Sequence, residues 1–167
     1  MRIPSKQRGF TLIEFITVLV ITSILAYSAV TSFDFQSTRL DLAAKKLEAD
    51  IQYAKVLALT RGETYGIAFE PNSNRYIVFV NSSATPIADP KQPTQSLIVN
   101  YSTMADFSGV TLVSASFGAT STLLFRAQGM PKDGNGTDLV SQGQVVLSAQ
   151  GSSKTLNIAV GTGKVSS

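Results

Sequence analysis

Residues 10–30 form a run of 21 residues in which Glu14 is the only charged side chain. As a helix the run would measure roughly 31 Å at about 1.5 Å per residue, close to the hydrocarbon thickness of a bilayer. Three cations, Arg2, Lys6 and Arg8, precede it and would hold the N-terminus on the cytoplasmic side. A carboxylate at the centre of a membrane helix costs of order 2.5–3.5 kcal/mol, so Glu14 reads as functional. Paired with an opposite charge in a low-dielectric medium it would be strongly attracted; alone it suffers only desolvation. An ordinary secretory signal cleaved at Ala26-Tyr27-Ser28 and a simple membrane anchor are the competing readings. Neither explains Glu14, nor Gly9 and Phe10 at the boundary.

The 167 residues suit one globular domain beside such an anchor. The chain carries 14 Lys and Arg against 11 Asp and Glu, but three of the cations stand ahead of the apolar run. Without them the charges balance at 11 against 11, and the aqueous part is about +1 once Glu14 is set aside. A strongly basic nucleic-acid footprint is absent at the level of net charge. The chain has no cysteine and no histidine. That removes disulfides, thiolate chemistry, most zinc sites and the Ser-His and Cys-His catalytic arrangements.

From Leu40 the pattern becomes amphipathic. Leu40, Ala43, Ala44, Leu47, Ile51, Ala54 and Ala58 recur at three- and four-residue spacing, with Lys45, Lys46, Glu48, Asp50, Gln52 and Lys55 among the rest. No Pro or Gly interrupts residues 10–61, which predicts one long helix, loosened near residues 31–34 and stopped by Gly62. Its amphipathic stripe is expected to pack against a sheet. Residues 64–70 and 75–80 read as strands joined through Pro71-Asn72-Ser73-Asn74, a hairpin signal. The polar segment 82–95, with Pro86, Pro90 and Pro93, reads as an exposed loop. Further strands are expected near 96–101, 110–113 and 122–126. A last hairpin, 144–149 with 155–160, would turn through Gln150-Gly151-Ser152-Ser153. Strands following one helix indicate an α+β domain, the helix covering one side of an antiparallel sheet.

Gly9-Phe10-Thr11-Leu12-Ile13-Glu14 resembles the processing site of type IV pilins and pseudopilins. The resemblance implies that a prepilin peptidase cuts between Gly9 and Phe10, that Phe10 becomes the methylated N-terminus, and that Glu14 pairs with the terminal amine of a neighbouring subunit during assembly. Many major pilins have a proline in this helix where Thr31 stands here. Further on, Phe125, Gly129 and Pro131, then the Gly163-Lys164-Val165 ending, resemble landmarks of the GspH/FimT group of minor pseudopilins. That implies a pilin-like α+β fold: a leader at 1–9, a transmembrane and filament-core helix at 10–34, and a periplasmic globular domain at 35–167. It implies a single-pass protein of the bacterial inner membrane, N-terminus cytoplasmic, joining the tip or initiation complex of a type II secretion pseudopilus or type IV pilus. Its partners would be other pilin or pseudopilin subunits, through the N-terminal helix, and the peptidase.

Asp133-Gly134-Asn135-Gly136-Thr137-Asp138 is a weak calcium candidate through Asp133, Asn135 and Asp138. The sixth position is Asp138, not glycine, and the twelfth is Gln144, not a bidentate glutamate. A turn between strands is the simpler reading. Gly161-Thr162-Gly163-Lys164 lacks the upstream glycine and the Ser/Thr of a phosphate loop. No catalytic site, metal or cofactor is expected. Some FimT-type proteins are DNA receptors in natural transformation, with a Gly-Arg-x-Arg tail implicated. Gly163-Lys164-Val165-Ser166 keeps one cation of that pattern, so Lys164 with Lys154, and Lys132 if it clusters with them, makes a poor phosphate footprint. A DNA-binding minor pilin is the alternative reading; nucleic acid is not the expected partner.

Overall fold

The computed structural model describes the backbone of residues 11–31 and 35–167, with side chains described outside residues 28–36. Two compact units result, Met1–Phe35 and Gln36–Ser167. The first holds helix α1, Leu12–Thr31. The second opens with helix α2, Phe35–Arg61. The expected loosening at residues 31–34 falls largely outside the described residues. Helix α2 ends at Gly62, whose N–H bonds to the Ala58 carbonyl at 3.0 Å and whose φ is +72°.

The stripe read from the sequence is the buried face of α2. Leu40, Ala43, Ala44, Leu47, Ile51, Ala54 and Ala58 all lie in the core. They pack in one apolar cluster with residues of two antiparallel sheets rather than the single sheet expected. The first sheet orders its five strands β3-β2-β1-β5-β6, from β1 (Tyr65–Glu70), β2 (Arg75–Val80), β3 (Ile98–Asn100), β5 (Thr122–Phe125) and β6 (Pro131–Asp133). The second orders its four strands β4-β7-β8-β9, from β4 (Val110–Ser116), β7 (Gly143–Ala149), β8 (Ser152–Ile158) and β9 (Val165–Ser166).

The differences from the sequence reading have local causes. Strand β4 runs three residues beyond the expected end because its pairing with β7 shifts between Leu112 and Ser114, a bulge that leaves Val113 half exposed and re-aims the rest. The last hairpin turns on Gln150-Gly151 alone, with φ of +44° and +84°. A two-residue turn of this kind needs positive φ at both positions, and Gln150 gives little sequence signal for it. Strand β6 was not anticipated. It is three residues long, begins with Pro131 and forms a sheet edge, where a proline leaves no inner hydrogen bond unmade. The 82–95 segment is largely exposed, yet it is tied to the sheet: Ile87 donates its N–H to Val78 and accepts from Leu97 through its carbonyl.

Asn74 joins the two sheets. Its left-handed backbone closes the β1–β2 turn. Its amide donates to Ser102 Oγ and to the Val110 carbonyl, both at 3.0 Å, while its Oδ1 accepts the Leu112 N–H at 2.7 Å. One side chain therefore satisfies two backbone groups, the Val110 carbonyl and the Leu112 N–H, on the outer edge of β4.

Candidate functional site

Gly9 and Phe10 lie outside the described residues. Glu14 is described, on the first turn of α1. Thr11 immediately precedes the helix, and its hydroxyl faces the Glu14 N–H at 3.4 Å. Thr11 and Glu14 thus have the Thr-x-x-Glu spacing of a capping box, which places the carboxylate at the positive end of the helix. This local role for Glu14 was readable from the spacing and was missed.

Every described side chain from Thr11 to Tyr27 is exposed, including Leu12, Ile13, Phe15 and Leu25 at more than 60%. A helix apolar all round is at home only inside a larger body or a bilayer. Its few hydroxyls are satisfied internally: Thr17 donates to Ile13, Thr22 to Val18 and Ser23 to Leu19 carbonyls, at 2.7–2.8 Å. That suits a medium without water. Among the described residues no helix is long and apolar enough to cross a membrane. The described side chains cover only part of the 21-residue run.

Two of the three cations considered for DNA are engaged in ion pairs. Lys154, on β8, is paired with Asp41 of α2 at 2.5 Å. This hydrogen bond and charge hold the Asp41 carboxyl below its ordinary range. Lys132 is paired with Asp138. Lys164 is exposed and lies beside β9, whose Val165 pairs with Ile158, four positions along β8 from Lys154. Five strand positions thus separate the levels of Lys154 and Lys164, roughly 16 Å.

The two carboxylates of the calcium candidate have partners of their own. The Asp133 carboxylate is buried and accepts the backbone N–H groups of Asn135 and Thr137 at 3.0 and 2.8 Å, stabilising the turn, while Asp138 is held by Lys132. Among the described residues no three acidic side chains gather to hold an ion.

The landmarks near the C-terminus are packing contacts. A Cβ on Gly163, whose φ is +61°, would sit 2.8 Å from the Phe125 ring and 3.6 Å from Pro131. The tail therefore lies directly on the β5–β6 end of the first sheet, and Lys55 of α2 fastens it by donating to the Thr162 carbonyl at 2.6 Å. Gly129 is in the same position beneath Leu59, 2.9 Å from a would-be Cβ.

A buried polar cluster was not foreseen. Asp50 is 6% exposed and accepts from Lys46 Nζ and from the fully buried Tyr76 hydroxyl, both at 2.6 Å. The Lys46–Asp50 spacing of four gave the signal, and the position of Asp50 three residues after Leu47 puts it on the core face. The Tyr101 ring stands 5.9 Å from that of Tyr76, and its hydroxyl is buried with no protein partner. Burial raises the Tyr76 phenol well above its ordinary value, with Tyr101 and Asp50 adding to the shift; burial, then Asp50, raises Tyr101 as well. Both tyrosines thus bind protons more tightly folded than unfolded. Their contribution to stability should be constant up to the unfolded tyrosine value of about 10 and fall as pH rises beyond it. Urea midpoints measured from pH 7 to 11 check this. Tyr101→Phe, which also removes an unpartnered hydroxyl, should flatten the alkaline fall without loss at pH 7.

Comparison with known proteins accords with this arrangement. The family described as Type II transport protein GspH matches residues 43–163, and the prokaryotic N-terminal methylation motif matches residues 4–26. Pilin-like protein PilA1 of Thermus thermophilus is 27% identical over 149 residues, covering 74% of this chain and 96% of that protein. The fold resembles the minor pseudopilin EpsH from the type 2 secretion system of Vibrio cholerae, with a TM-score of 0.51 at 10% identity over 72% of this chain and 89% of that one. The type IV minor pilin FimU of Pseudomonas aeruginosa gives a TM-score of 0.49 at 20% identity, over 76% of this chain and 90% of that one. The chain belongs to the GspH family of type II transport proteins and carries, at its start, the N-terminal methylation motif of pilin-like subunits.

Proposed function

We infer that this chain is a minor pilin or pseudopilin, a structural subunit rather than an enzyme, that joins the tip or initiating complex of a type II secretion pseudopilus or a type IV pilus. The observation that carries the reading is the coincidence on one chain of the methylation motif at 4–26 and the GspH match at 43–163. Residues 1–9 act as the leader, residues 10–34 anchor the protein in the inner membrane and later lie in the filament core, and residues 35–167 form the periplasmic domain. A prepilin peptidase cuts between Gly9 and Phe10 and the new terminus is methylated. The other pilin subunits are met through the N-terminal helix. The exposure of all described side chains from Thr11 to Tyr27 supports this, because such a helix gains by burial in lipid or among its equals.

Co-expression with a prepilin peptidase tests the processing step. Mass spectrometry should find an N-terminal Phe10 carrying a methyl group. Gly9→Ala should still be cut in part, and Gly9→Leu should remain full length. An N-terminus at Ala29 would replace this reading with ordinary secretion.

A further inference from the structure

Three Asn-x-Ser/Thr triplets occur in the chain, at Asn81, Asn100 and Asn135. In an exported protein such a triplet on a surface loop is an acceptor for N-linked sugar. The fold ranks the three. Asn100 is half-buried on β3, its Oδ1 accepts the Ser102 N–H at 2.9 Å, and Tyr101 between them is fully buried. Asn81 is exposed, but the residue two positions before it is the buried Phe79. Asn135 is exposed in the turn after β6, with Gly136 and the exposed Thr137 completing its triplet and Asp133 two positions before it. The turn holds Asn135 and Thr137 by their backbones, while the Asn135 amide and the Thr137 hydroxyl have no protein partner among the described residues. The Arg126 guanidinium lies against this turn, 2.9 Å from where a Gly136 Cβ would stand, and has no acceptor among the described residues.

We propose that Asn135 is the acceptor of an N-linked glycan, transferred in the periplasm from a polyprenyl-pyrophosphate-linked oligosaccharide. The proposal rests on the reading of residues 35–167 as an exported domain. The transfer is a substitution without change of oxidation state. Asn135 Nδ2 forms a bond to C1 of the first sugar, and the C1–O bond to the pyrophosphate breaks. The pyrophosphate leaves on its lipid, and the amide gives up one proton to a base of the transferase. Bacterial transferases of this class take an acidic residue two positions before the asparagine, and Asp133 is the only such residue among the three triplets. Asp133 is 9% exposed and accepts from the turn, so the turn opens when it is read. Little structure is lost by that, because β6 is a three-residue strand at the sheet edge and such elements are the least stable locally. Once attached, the first sugar lies beside the five N–H donors of Arg126. The glycan also covers the outermost segment of the first sheet, where Thr137 and Leu139 bond to β6 and Val140 is 92% exposed, and so hinders edge-to-edge pairing.

Co-expression of the full chain with a bacterial oligosaccharyltransferase and a lipid-linked oligosaccharide beginning with an N-acetylhexosamine tests the site. An Asp-Gln-Asn-Ala-Thr acceptor tag fused after Ser167 reports export independently. Trypsin releases residues 133–154 as one peptide in which Asn135 is the only asparagine. Mass spectrometry should find the glycan on this peptide and on the tag. Asn135→Gln and Thr137→Val should each abolish it on the peptide and leave it on the tag. Their urea midpoints, measured on chains made without the transferase, should match the parent, since neither side chain has a protein partner among the described residues. Asp133→Asn, which keeps an Oδ1 acceptor for the turn, should lose most of the peptide's glycan. A glycosylated tag beside a bare peptide, or one merely deamidated at Asn135-Gly136, would overturn the site, as would full occupancy in Thr137→Val. If neither peptide nor tag carries glycan, the exported-domain reading fails and the proposal falls with it.

Discussion

Glu14→Val is expected to leave the protein in the membrane fraction while cutting its incorporation into filaments at least about tenfold. The first half follows from removing a charge that costs of order 2.5–3.5 kcal/mol within a membrane helix. The second follows if the carboxylate meets the terminal amine of Phe10 on a neighbouring subunit, since close, desolvated charge pairs couple by roughly 1.5–7 kcal/mol. The capping contact between Thr11 and Glu14 offers a rival explanation for any loss, and a second substitution separates them. Glu14→Gln keeps a side chain able to complete a capping box but has no charge. If intersubunit pairing governs assembly, glutamine should fail nearly as badly as valine. Near-normal incorporation of Glu14→Gln in sheared filaments, quantified by immunoblot against a membrane control, would reduce Glu14 to a local helix cap.

Leu47→Ala should destabilise the globular unit by roughly 2–5 kcal/mol, the range for a buried leucine whose cavity does not fully collapse. Leu47 is 0% exposed and belongs to the core shared by α2 and both sheets, so no surface side chain can move in to fill its place. For a chain of this length the loss corresponds to a fall in Tm on the order of 10 °C. Val56→Ala, on the same helix but 51% exposed, is the control and should change stability by no more than about 0.5 kcal/mol. Denaturant midpoints of the two variants in detergent check the pair. Equal effects would mean that the packed face of α2 has been assigned wrongly.

Much of this architecture is legible without coordinates because it rests on periodicity. A stripe recurring every three to four residues must face inward whatever covers it, and all seven of Leu40, Ala43, Ala44, Leu47, Ile51, Ala54 and Ala58 do. Alternation likewise marks β7, where Gly143, Val145, Leu147 and Ala149 are buried and the residues between them are not. The short edge elements were harder to see. Strands β6 and β9 have three and two residues, too few to show a period, and they exist only because a neighbouring strand supplies their hydrogen bonds. The ion-pair partners of the lysines were hidden for a related reason. Sequence lists charges, but only folding sets Lys154 beside Asp41, 113 positions away.

The sequence by itself determined the apolar run with its single carboxylate, the N-terminal methylation motif that overlaps it, the amphipathic helix and the absence of Cys and His chemistry. These are properties of composition and short spacing, and no tertiary contact can undo them. The tertiary structure alone decided that the strands split into two sheets, that Asn74 binds one to the edge of the other, and that Gly163 closes the tail onto Phe125 and Pro131. It also decided that Asp50, an ordinary helix carboxylate in the sequence, would be buried between Lys46 and Tyr76. Those outcomes depend on contacts between residues distant in the chain, where packing and the need to satisfy buried polar groups choose among partners that local pattern cannot rank.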